Sequence, residues 1–261
     1  MTALAVEGLT RHFTTPGGEN VVALNDTSIE IAPGSFTSII GPSGCGKSTL
    51  FNLIAGLDQP TSGTVLMDGQ DMTSVQGQVG YMLQKDLMLP WRTIVQNVAL
   101  GLEIAGVPRK RREELAMRFI TLYGLGGFEH RYPGELSGGM RQRAALLRTI
   151  LFNRDVILLD EPFGALDALT RAQMQEWLLD LWDDLGKTVL FVTHDIDEAI
   201  YLSDTVYVMS PRPGRVVARL EVALDRPRKP EVVTSPAFAA IKKTALSQLG
   251  TGHTDRSEEA S

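Results

Sequence analysis

Hydrophobic and polar residues alternate along the first third of the chain, which is the pattern of β-strands with one buried face. Strand patterns cover residues 4–9, 21–31 and 35–40, and a hairpin signal at Asp68-Gly69 follows a further strand pattern at residues 64–67. We therefore expect antiparallel strands laid against the beginning of a larger core.

The pattern becomes helical after residue 85. Three helices are predicted, over residues 93–105, 108–123 and 137–151. The first begins with capping-box spacing, and the third begins with Ser137, a residue type that caps helices well. Residues 86–150 are therefore predicted to form an α-helical subdomain inserted into the core.

Two short apolar runs, residues 155–159 and 188–193, are typical of strands buried on both faces of a parallel sheet. Between them a long helix pattern begins after Asp167 and ends at Gly186, and its apolar stripe is assigned to the core. The remaining strand patterns cover residues 79–83, 205–209 and 216–220. The fold class is therefore α/β, with a core built from residues 1–85 and 151–225.

The end of the chain has a different character. Residues 226–230 alternate proline with basic residues and are predicted to form a linker. A short helix is predicted over residues 238–249, and residues 251–261 are expected to be disordered.

The stretch from Gly41 to Thr49 fits the pattern G-x-x-x-x-G-K-[ST] between a predicted strand and a predicted helix. Glycines let the backbone curl until its N–H groups point inward, and the helix start adds the positive end of its dipole. Lys47 can then reach the β- and γ-phosphates of a nucleotide, and the Ser48 hydroxyl can bind Mg²⁺. The residues predicted to hold the phosphates are Gly41, Pro42, Ser43, Gly44, Cys45, Gly46, Lys47, Ser48 and Thr49. A glycine-rich structural turn is the alternative interpretation.

Polar residues stand at the ends of the two buried strands. Asp160 and Glu161 are costly to desolvate unless a cation lies beside them. Mg²⁺ on a nucleotide would supply that cation, with Asp160 on the metal and Glu161 as the base that orients the attacking water. His194 follows the next strand, where it could bond a γ-phosphate, because parallel sheets bind ligands beyond their carboxyl ends. The alternatives are an exposed turn for the acids and a structural histidine.

Two further features point to a nucleotide. Ser137 is followed by Gly138 and Gly139, which leave the first amides of the helix uncovered and so create a second anion-binding helix start. Simple capping of the helix by Ser137 is the alternative. Phe13 is the only aromatic residue of the opening segment, and it could stack on an adenine face or belong to the core.

Composition narrows the class of protein. The chain has 261 residues and a net charge of −6, which argues against a nucleic-acid partner. No apolar run approaches the ~20 residues that cross a bilayer, and the N-terminus lacks a basic signal-peptide region, so we expect a cytosolic chain. Cys45 is the one cysteine, which excludes an internal disulfide. Its thiol could be redox-sensitive, although a small residue that fits the loop is the favoured interpretation.

The order of these motifs resembles the nucleotide-binding subunit of an ATP-binding cassette (ABC) transporter. Following Phe13 and the phosphate loop, the chain has Gln84, an LSGG helix start at residues 136–139, the acidic strand end, an Ala-Leu-Asp turn that includes Asp167, and His194. The resemblance covers residues 4–220 and implies a P-loop NTPase (RecA-like) core with an N-terminal antiparallel β subdomain. It also implies that residues 1–225 form one ABC ATPase domain. Met140 departs from the family pattern, which more commonly has glutamine there.

The resemblance implies a role for each residue. Phe13 would stack on adenine, Ser48 and Asp160 would serve Mg²⁺, and Gln84 would sense the metal and the water. Glu161 would be the base, His194 would contact the γ-phosphate, and Asp167 would couple two sites. Ser137, Gly138 and Gly139 would bind ATP held by a second copy of the chain. The resemblance thus implies a homodimer that closes head to tail around ATP.

Within the family, residues 86–93 and the run His194-Asp195-Ile196-Asp197-Glu198-Ala199 resemble importers of the nitrate, sulfonate, taurine and bicarbonate class. Importers of thiamine precursors are similar in these two segments. The resemblance implies transmembrane permease subunits that contact Asp86 to Thr93, a solute-binding protein acting indirectly, and a peripheral location at the cytoplasmic face of the inner membrane. The apolar side chains of residues 86–93 suit a groove that receives a permease helix, and packing within the helical subdomain is the alternative.

Two other functions compete with import. One is a soluble ABC ATPase of DNA repair, chromosome organisation or translation, although such proteins usually have a long coiled-coil insert or two cassettes in one chain. The other is a regulatory nucleotide-binding module without turnover, which the presence of Glu161 and His194 weakens.

Overall fold

The computed structural model describes residues 4–15 and 17–251 of the chain. Its strands, in chain order, are β1 (Leu4–Thr14), β2 (Asn20–Ile31), β3 (Phe36–Ile40), β4 (Ser62–Met67), β5 (Gln70–Asp71), β6 (Gly80–Met82), β7 (Val156–Asp160), β8 (Thr188–Thr193), β9 (Thr205–Met209) and β10 (Val216–Glu221). Its α-helices are α1 (Lys47–Ile54), α2 (Ile94–Val98), α3 (Leu100–Ile104), α4 (Arg109–Leu122), α5 (Gly138–Leu151), α6 (Ala168–Leu185), α7 (Ile196–Leu202) and α8 (Pro236–Thr251). Short 3₁₀ turns cover Pro133–Glu135 and Pro230–Thr234.

The strands form two sheets. A four-stranded antiparallel sheet has the order β2-β1-β4-β5, and a six-stranded sheet has the order β10-β9-β3-β8-β7-β6. In the larger sheet β9, β3, β8, β7 and β6 run parallel, and β10 runs antiparallel to β9 at the edge. The prediction of an α/β P-loop NTPase fold with an N-terminal antiparallel sheet is confirmed.

The larger sheet is buried on both faces, which explains its near-continuous apolar strands. Along β8, Leu190 and Val192 pack with α1 and the antiparallel sheet, whereas Val189 and Phe191 pack with the helices of the other face. Parallel strands β3, β6, β7 and β8 therefore end at one edge, where the loops after them meet. No helix in the described residues is long and apolar enough to cross a membrane.

The helix predicted over residues 93–105 is wrong in detail, because two short helices, α2 and α3, replace it. They meet at Ala99, whose ψ of −3° departs from the helical value. Gly101 then lies against Phe152 so closely that an added Cβ would be 2.8 Å from the Phe152 Cα. One half of the predicted capping box is formed, since the Thr93 N–H donates to Gln96 Oε1 at 3.0 Å, whereas Thr93 Oγ1 accepts no hydrogen bond in the described residues.

Residues 226–230, predicted to form a linker, lie between β10 and α8 and pack against the protein. Arg228 is buried, and its guanidinium donates to carbonyls at the C-terminal end of α7, including that of Ser203 at 2.6 Å. The helix predicted over residues 238–249 is present as the longer α8. The tail predicted to be disordered lies, apart from Thr251, outside the described residues, and the division into domains stays a prediction.

Candidate active site

The phosphate loop joins β3, the central strand, to α1. Gly44 and Gly46 have φ values of 75° and 107°, in the left-handed region that glycine tolerates. A Cβ on Gly46 would lie 2.7 Å from Leu24 Cδ2 and 2.9 Å from the Ala23 carbonyl oxygen, so β2 presses directly on this turn. The glycine spacing is therefore required both by the backbone path and by close packing.

The Lys47 side chain is buried and folds back along the loop. Its Nζ donates to the Gly41 carbonyl oxygen at 2.8 Å and to the Pro42 carbonyl oxygen at 3.2 Å. A single ammonium group is thus held over the curled backbone, at the start of α1, where the helix dipole adds positive potential. This arrangement is suited to an anion with several negative charges.

Cys45 is buried beside this lysine, with Sγ 3.8 Å from Lys47 Nζ. Burial raises the pKa of the thiol, and the nearby ammonium charge opposes that shift. A buried thiol with a raised pKa is a poor nucleophile. The structure therefore favours the interpretation of Cys45 as a small residue that fits the loop.

Asp160 ends β7 beside the phosphate loop and is only 5% exposed. Burial raises the pKa of its carboxyl group, while a hydrogen bond from the Ser48 hydroxyl opposes the shift. Tyr81 also contacts this carboxylate, and burial followed by the Asp160 charge raises the pKa of its hydroxyl. Sequence reasoning missed Tyr81, because its apolar neighbours in β6 mark it only as a strand residue.

The residues present fit a magnesium ion. Among residues 4–15 and 17–251 there is no cluster of three or more His, Cys, Asp or Glu side chains arranged for a metal. Mg²⁺ does not need one, because it is commonly bound by one or two protein oxygens together with substrate phosphates and water. Ser48 and the desolvated Asp160 supply such a pair of oxygens next to the loop, and a cation there would offset the cost of burying the carboxylate.

Glu161, Gln84 and His194 meet at the edge of the sheet. Gln84 Nε2 donates to Glu161 Oε2 at 3.1 Å, and His194 Nδ1 lies 3.4 Å from the same oxygen. The Glu161 N–H donates to the Val192 carbonyl oxygen at 2.9 Å, which ties the end of β7 to β8. Three residues that follow three different strands are thus brought together at one carboxylate.

The LSGG helix start begins α5. Ser137 is exposed, and its Oγ accepts the Met140 N–H at 3.3 Å, which confirms it as the N-cap. The Met140 side chain packs against the core, so the departure from the family pattern leaves its backbone N–H on Ser137. Gly138 is exposed as well, so this helix start is open to solvent.

The neighbours of this helix start belong to the first turn of α6 and to the turn before it. A Cβ on Gly139 would lie 2.8 Å from Thr170 Cγ2, and one on Gly138 would lie 3.9 Å from Leu166 Cδ2. Asp167 is the N-cap of α6, and its Oδ1 accepts the Thr170 N–H at 3.0 Å. That hydrogen bond lowers the pKa of the exposed Asp167 carboxyl group. Ser137, Gly138 and Asp167 are therefore exposed beside one another, with Gly139 half-buried between them and Thr170.

Phe13 lies on β1 opposite Val21 of β2, and it is 38% exposed. The structure thus excludes the alternative of a fully buried core phenylalanine. Arg11 stacks on the ring and pairs with Asp58. Sequence reasoning missed both residues, because Arg11 and Asp58 are 47 positions apart and no local pattern connects them.

Residues 86–93 form an irregular segment between β6 and α2. Arg148 donates to the Asp86 and Leu87 carbonyl oxygens at 2.5 and 2.8 Å, and burial lowers the pKa of its guanidinium group. Trp91 is 71% exposed and Leu87 is also exposed, whereas Met88 is buried. The segment is anchored through its backbone and one side chain while presenting apolar side chains to solvent.

Comparisons with known proteins agree on one family. The ABC transporter family profile matches residues 24–164. The chain is 46% identical over 246 residues to an uncharacterized ABC transporter ATP-binding protein of Methanocaldococcus jannaschii, covering 94% of this chain and 91% of the relative. It is 45% identical over 246 residues to the taurine import ATP-binding protein TauB of Rhizobium johnstonii, covering 92% of this chain and 94% of the relative.

Solved structures give the same result. A dimeric bacterial ABC transporter cassette aligns with a TM-score of 0.73 and 30% identity, covering 85% of this chain and 100% of that structure. A dimeric post-hydrolysis state of the same cassette, bound to ADP and Pi, aligns with the same score, identity and coverage.

Proposed function

Because the chain belongs to the ABC transporter family and is an ATPase of that family, we propose that it is the ATP-hydrolysing subunit of an importer, acting through separate transmembrane permease subunits. The observation that carries the ATPase part is the convergence of Gln84 and His194 on Glu161 beside the phosphate loop. The printed names of relatives at about 45% identity favour import, and they include taurine import proteins.

The residues of the loop divide the work of binding ATP. The loop of residues 41–49 binds the phosphates through its backbone N–H groups, which every residue but Pro42 has, and through the Lys47 ammonium group. Nζ must then leave the Gly41 and Pro42 carbonyl oxygens. Phe13 stacks on the adenine base with its exposed ring. Ser48 and Asp160 would hold Mg²⁺, with Gln84 nearby. When bound, this ion supplies positive charge that offsets the charge of the phosphate oxygens.

Hydrolysis then depends on the carboxylate of Glu161. Its Oε2 accepts a hydrogen bond from Gln84 in this structure and can instead accept one from the attacking water. His194, which is 60% exposed and close to this oxygen, is placed to contact the γ-phosphate. Gln84 and His194 thereby orient the carboxylate and the water that it activates.

A second copy of the chain completes the site. Ser137 and Gly138 are exposed and Gly139 is half-buried at this helix start, whose first amides suit the phosphates of ATP held by the partner. Asp167 lies on the same exposed surface and links the two sites. The dimeric assembly of the related cassettes supports this arrangement.

A pair of matched variants tests the dimer. Aspartate and asparagine both cap helices as well as serine does, but only aspartate adds negative charge. In an Glu161→Gln background, Ser137→Asn should still dimerise with ATP, whereas Ser137→Asp should remain monomeric, as followed by sedimentation. Each variant should bind ATP as a monomer with equal affinity. Equal ATP-driven dimerisation of the two would contradict the proposal.

The transport part concerns residues 86–93 and the solute. We assign the segment from Asp86 to Thr93, with its exposed Leu87 and Trp91, as the permease contact at the cytoplasmic face of the membrane, with a solute-binding protein acting indirectly. The solute is a small anion or organic molecule such as nitrate, a sulfonate, taurine, bicarbonate or a thiamine precursor. The test is to purify the whole complex and measure which solute, with its binding protein, stimulates ATP turnover. An absence of stimulation by every member of this group would contradict the class of solute.

A further inference from the structure

The ring of Phe13 has a cation on one face. The Cζ atom of Arg11 lies 4.6 Å from the ring centroid, which is within the range of a cation–π interaction. The guanidinium group therefore covers one face of the ring. The exposed area of Phe13 then belongs to the other face.

Asp58 holds the Arg11 guanidinium group in position through two hydrogen bonds. Arg11 Nε donates to Oδ2 of Asp58 at 3.0 Å, and Nη2 donates to Oδ1 at 2.7 Å. Two parallel bonds to one carboxylate define the plane of the guanidinium group, which a single bond would not do. Asp58 follows α1 closely in the chain, so this pair joins β1 to the helix that begins at Lys47.

The register of the sheet places this stack next to the phosphate loop. Arg11 is opposite Leu24 on β2, and Phe13 is opposite Val21. Leu24 and Ala23 are the residues that press on Gly46. The contacts with Gly46 and with Phe13 are thus only a few residues apart along β2. A nucleotide whose phosphates lie in the loop could therefore reach the open face of Phe13.

We propose that Arg11 is a positioning residue for the base of the nucleotide: it holds the Phe13 ring on one face so that adenine stacks on the other. The inference rests on the proposed stacking of adenine on Phe13 and adds the residue that holds the ring in place from its other face. Asp58 acts indirectly, because it holds Arg11 against the ring. The arrangement acts on the base and not on the phosphates.

The experiment separates base from phosphate. ATP and inorganic tripolyphosphate are titrated into the full chain in EDTA, which prevents hydrolysis, and the dissociation constants are compared. Arg11→Met should raise the Kd for ATP about two- to fivefold, because it removes the cation–π contact. The Kd for tripolyphosphate should not change. Arg219→Met is the matched control, because Arg219 forms an exposed pair with Glu221 on β10, and it should leave both constants unchanged.

A double-mutant cycle with Phe13→Ala shows whether Arg11 acts through the ring. Phe13→Ala should raise the Kd for ATP by about fivefold or more, and adding Arg11→Met to it should have no further effect. Asp58→Asn, which keeps the shape of the side chain, should weaken ATP binding in the same direction as Arg11→Met and leave tripolyphosphate unaffected.

Two results overturn the inference while leaving the stacking of adenine intact. One is an unchanged Kd for ATP in Arg11→Met when Phe13→Ala weakens binding, and the other is equal weakening of ATP and tripolyphosphate by Arg11→Met. If Phe13→Ala leaves ATP binding unchanged, the proposed role of Phe13 fails instead, and the inference fails with it.

Discussion

His194 Nδ1 lies 3.4 Å from Glu161 Oε2, although the two residues follow different strands of the parallel sheet. Gln84 donates a hydrogen bond to the same oxygen at 3.1 Å. Glu161 Oε2 therefore has two polar neighbours, Gln84 and His194. These side chains must shift when a water molecule forms a hydrogen bond with this oxygen. The position of Glu161 is fixed in turn by its backbone bond to β8.

Glu161→Gln tests the role of this carboxylate. An amide of the same size keeps the packing but cannot accept a proton, so ATP hydrolysis should fall by about 10²–10⁴-fold. ATP binding should persist, and the ATP-bound dimer should last longer. Turnover assays and sedimentation with ATP measure the two effects, and Glu176→Gln on the exposed face of α6 is the control. Undiminished hydrolysis would remove Glu161 from the role of base.

Asp160→Asn tests the cost of burying the metal-side carboxylate. The folded chain holds the Asp160 proton to a higher pH than the unfolded chain, whose carboxyl pKa is near 3.8. Stability is therefore lost as the pH rises from about 3.8 through the raised folded pKa, and the full cost is present above that pKa. The variant should be more stable than the wild type at pH 7, on the order of 1 kcal/mol, while losing hydrolysis.

Thermal unfolding without nucleotide or metal, measured from pH 7 down to pH 4, checks this prediction. The gain in melting temperature should shrink as the pH falls, because both states are protonated below the lower pKa. Asp183→Asn on the exposed surface of α6 is the control. If the variant is less stable than the wild type at pH 7, the buried Asp160 carboxylate does not lower the free energy of unfolding.

Short-range signals account for what the sequence predicted well. The phosphate loop, the N-cap at Ser137 and the acids that end β7 each depend on residues within one turn or one strand, so their spacing is visible in the sequence. The meeting of Gln84, Glu161 and His194 was also predictable, because parallel strands deliver their ends to one edge.

Long-range contacts account for what the sequence did not reveal. The break at Ala99 accompanies the close approach of Gly101 to Phe152. Phe152 follows α5 and is therefore distant from Gly101 in the sequence. The pairing of Arg11 with Asp58 depends on how β1 meets the end of α1. The proline-rich run at residues 226–230 has the composition of a linker, and only the fold shows that Arg228 is inside.

Arg228 should be the main anchor of the C-terminal segment. Its guanidinium group donates to the carbonyl oxygens of Ile200, Tyr201 and Ser203 at the end of α7, and to those of Val222 and Leu224. Burial, together with the charge of Arg226, lowers the pKa of Arg228 to about 10, so the group remains charged at neutral pH. A buried positive charge at a helix C-terminus is also favoured by the helix dipole.

Arg228→Met should therefore lower the free energy of unfolding by about 2–4 kcal/mol, because it removes a charged donor from several buried carbonyl groups. Chemical denaturation measures the loss. Arg228→Lys should recover only part of it, since an ammonium group cannot span the same set of acceptors. Lys229→Met, at an exposed neighbouring position, is the control. Equal stability of the Arg228 and Lys229 variants would show that the segment is not anchored in this way.

Trp91→Glu tests the permease contact assigned to residues 86–93. Trp91 is 71% exposed, so a carboxylate is readily hydrated in the isolated chain, and its basal ATP turnover should stay within about twofold of the wild type. Within the complex, a carboxylate pressed into an apolar groove is costly, so solute-stimulated turnover should fall about tenfold or more. Leu89→Glu should act in the same direction, with some loss of stability because Leu89 is half-buried.

Leu246→Glu provides the matched control, because Leu246 is exposed on α8, away from this segment. It should leave both basal and stimulated turnover unchanged. Purified complexes in vesicles, supplied with the binding protein and its solute, give both rates in one preparation. Normal assembly and normal transport by the Trp91→Glu complex would mean that the exposed tryptophan faces water in the working transporter and that the permease binds elsewhere.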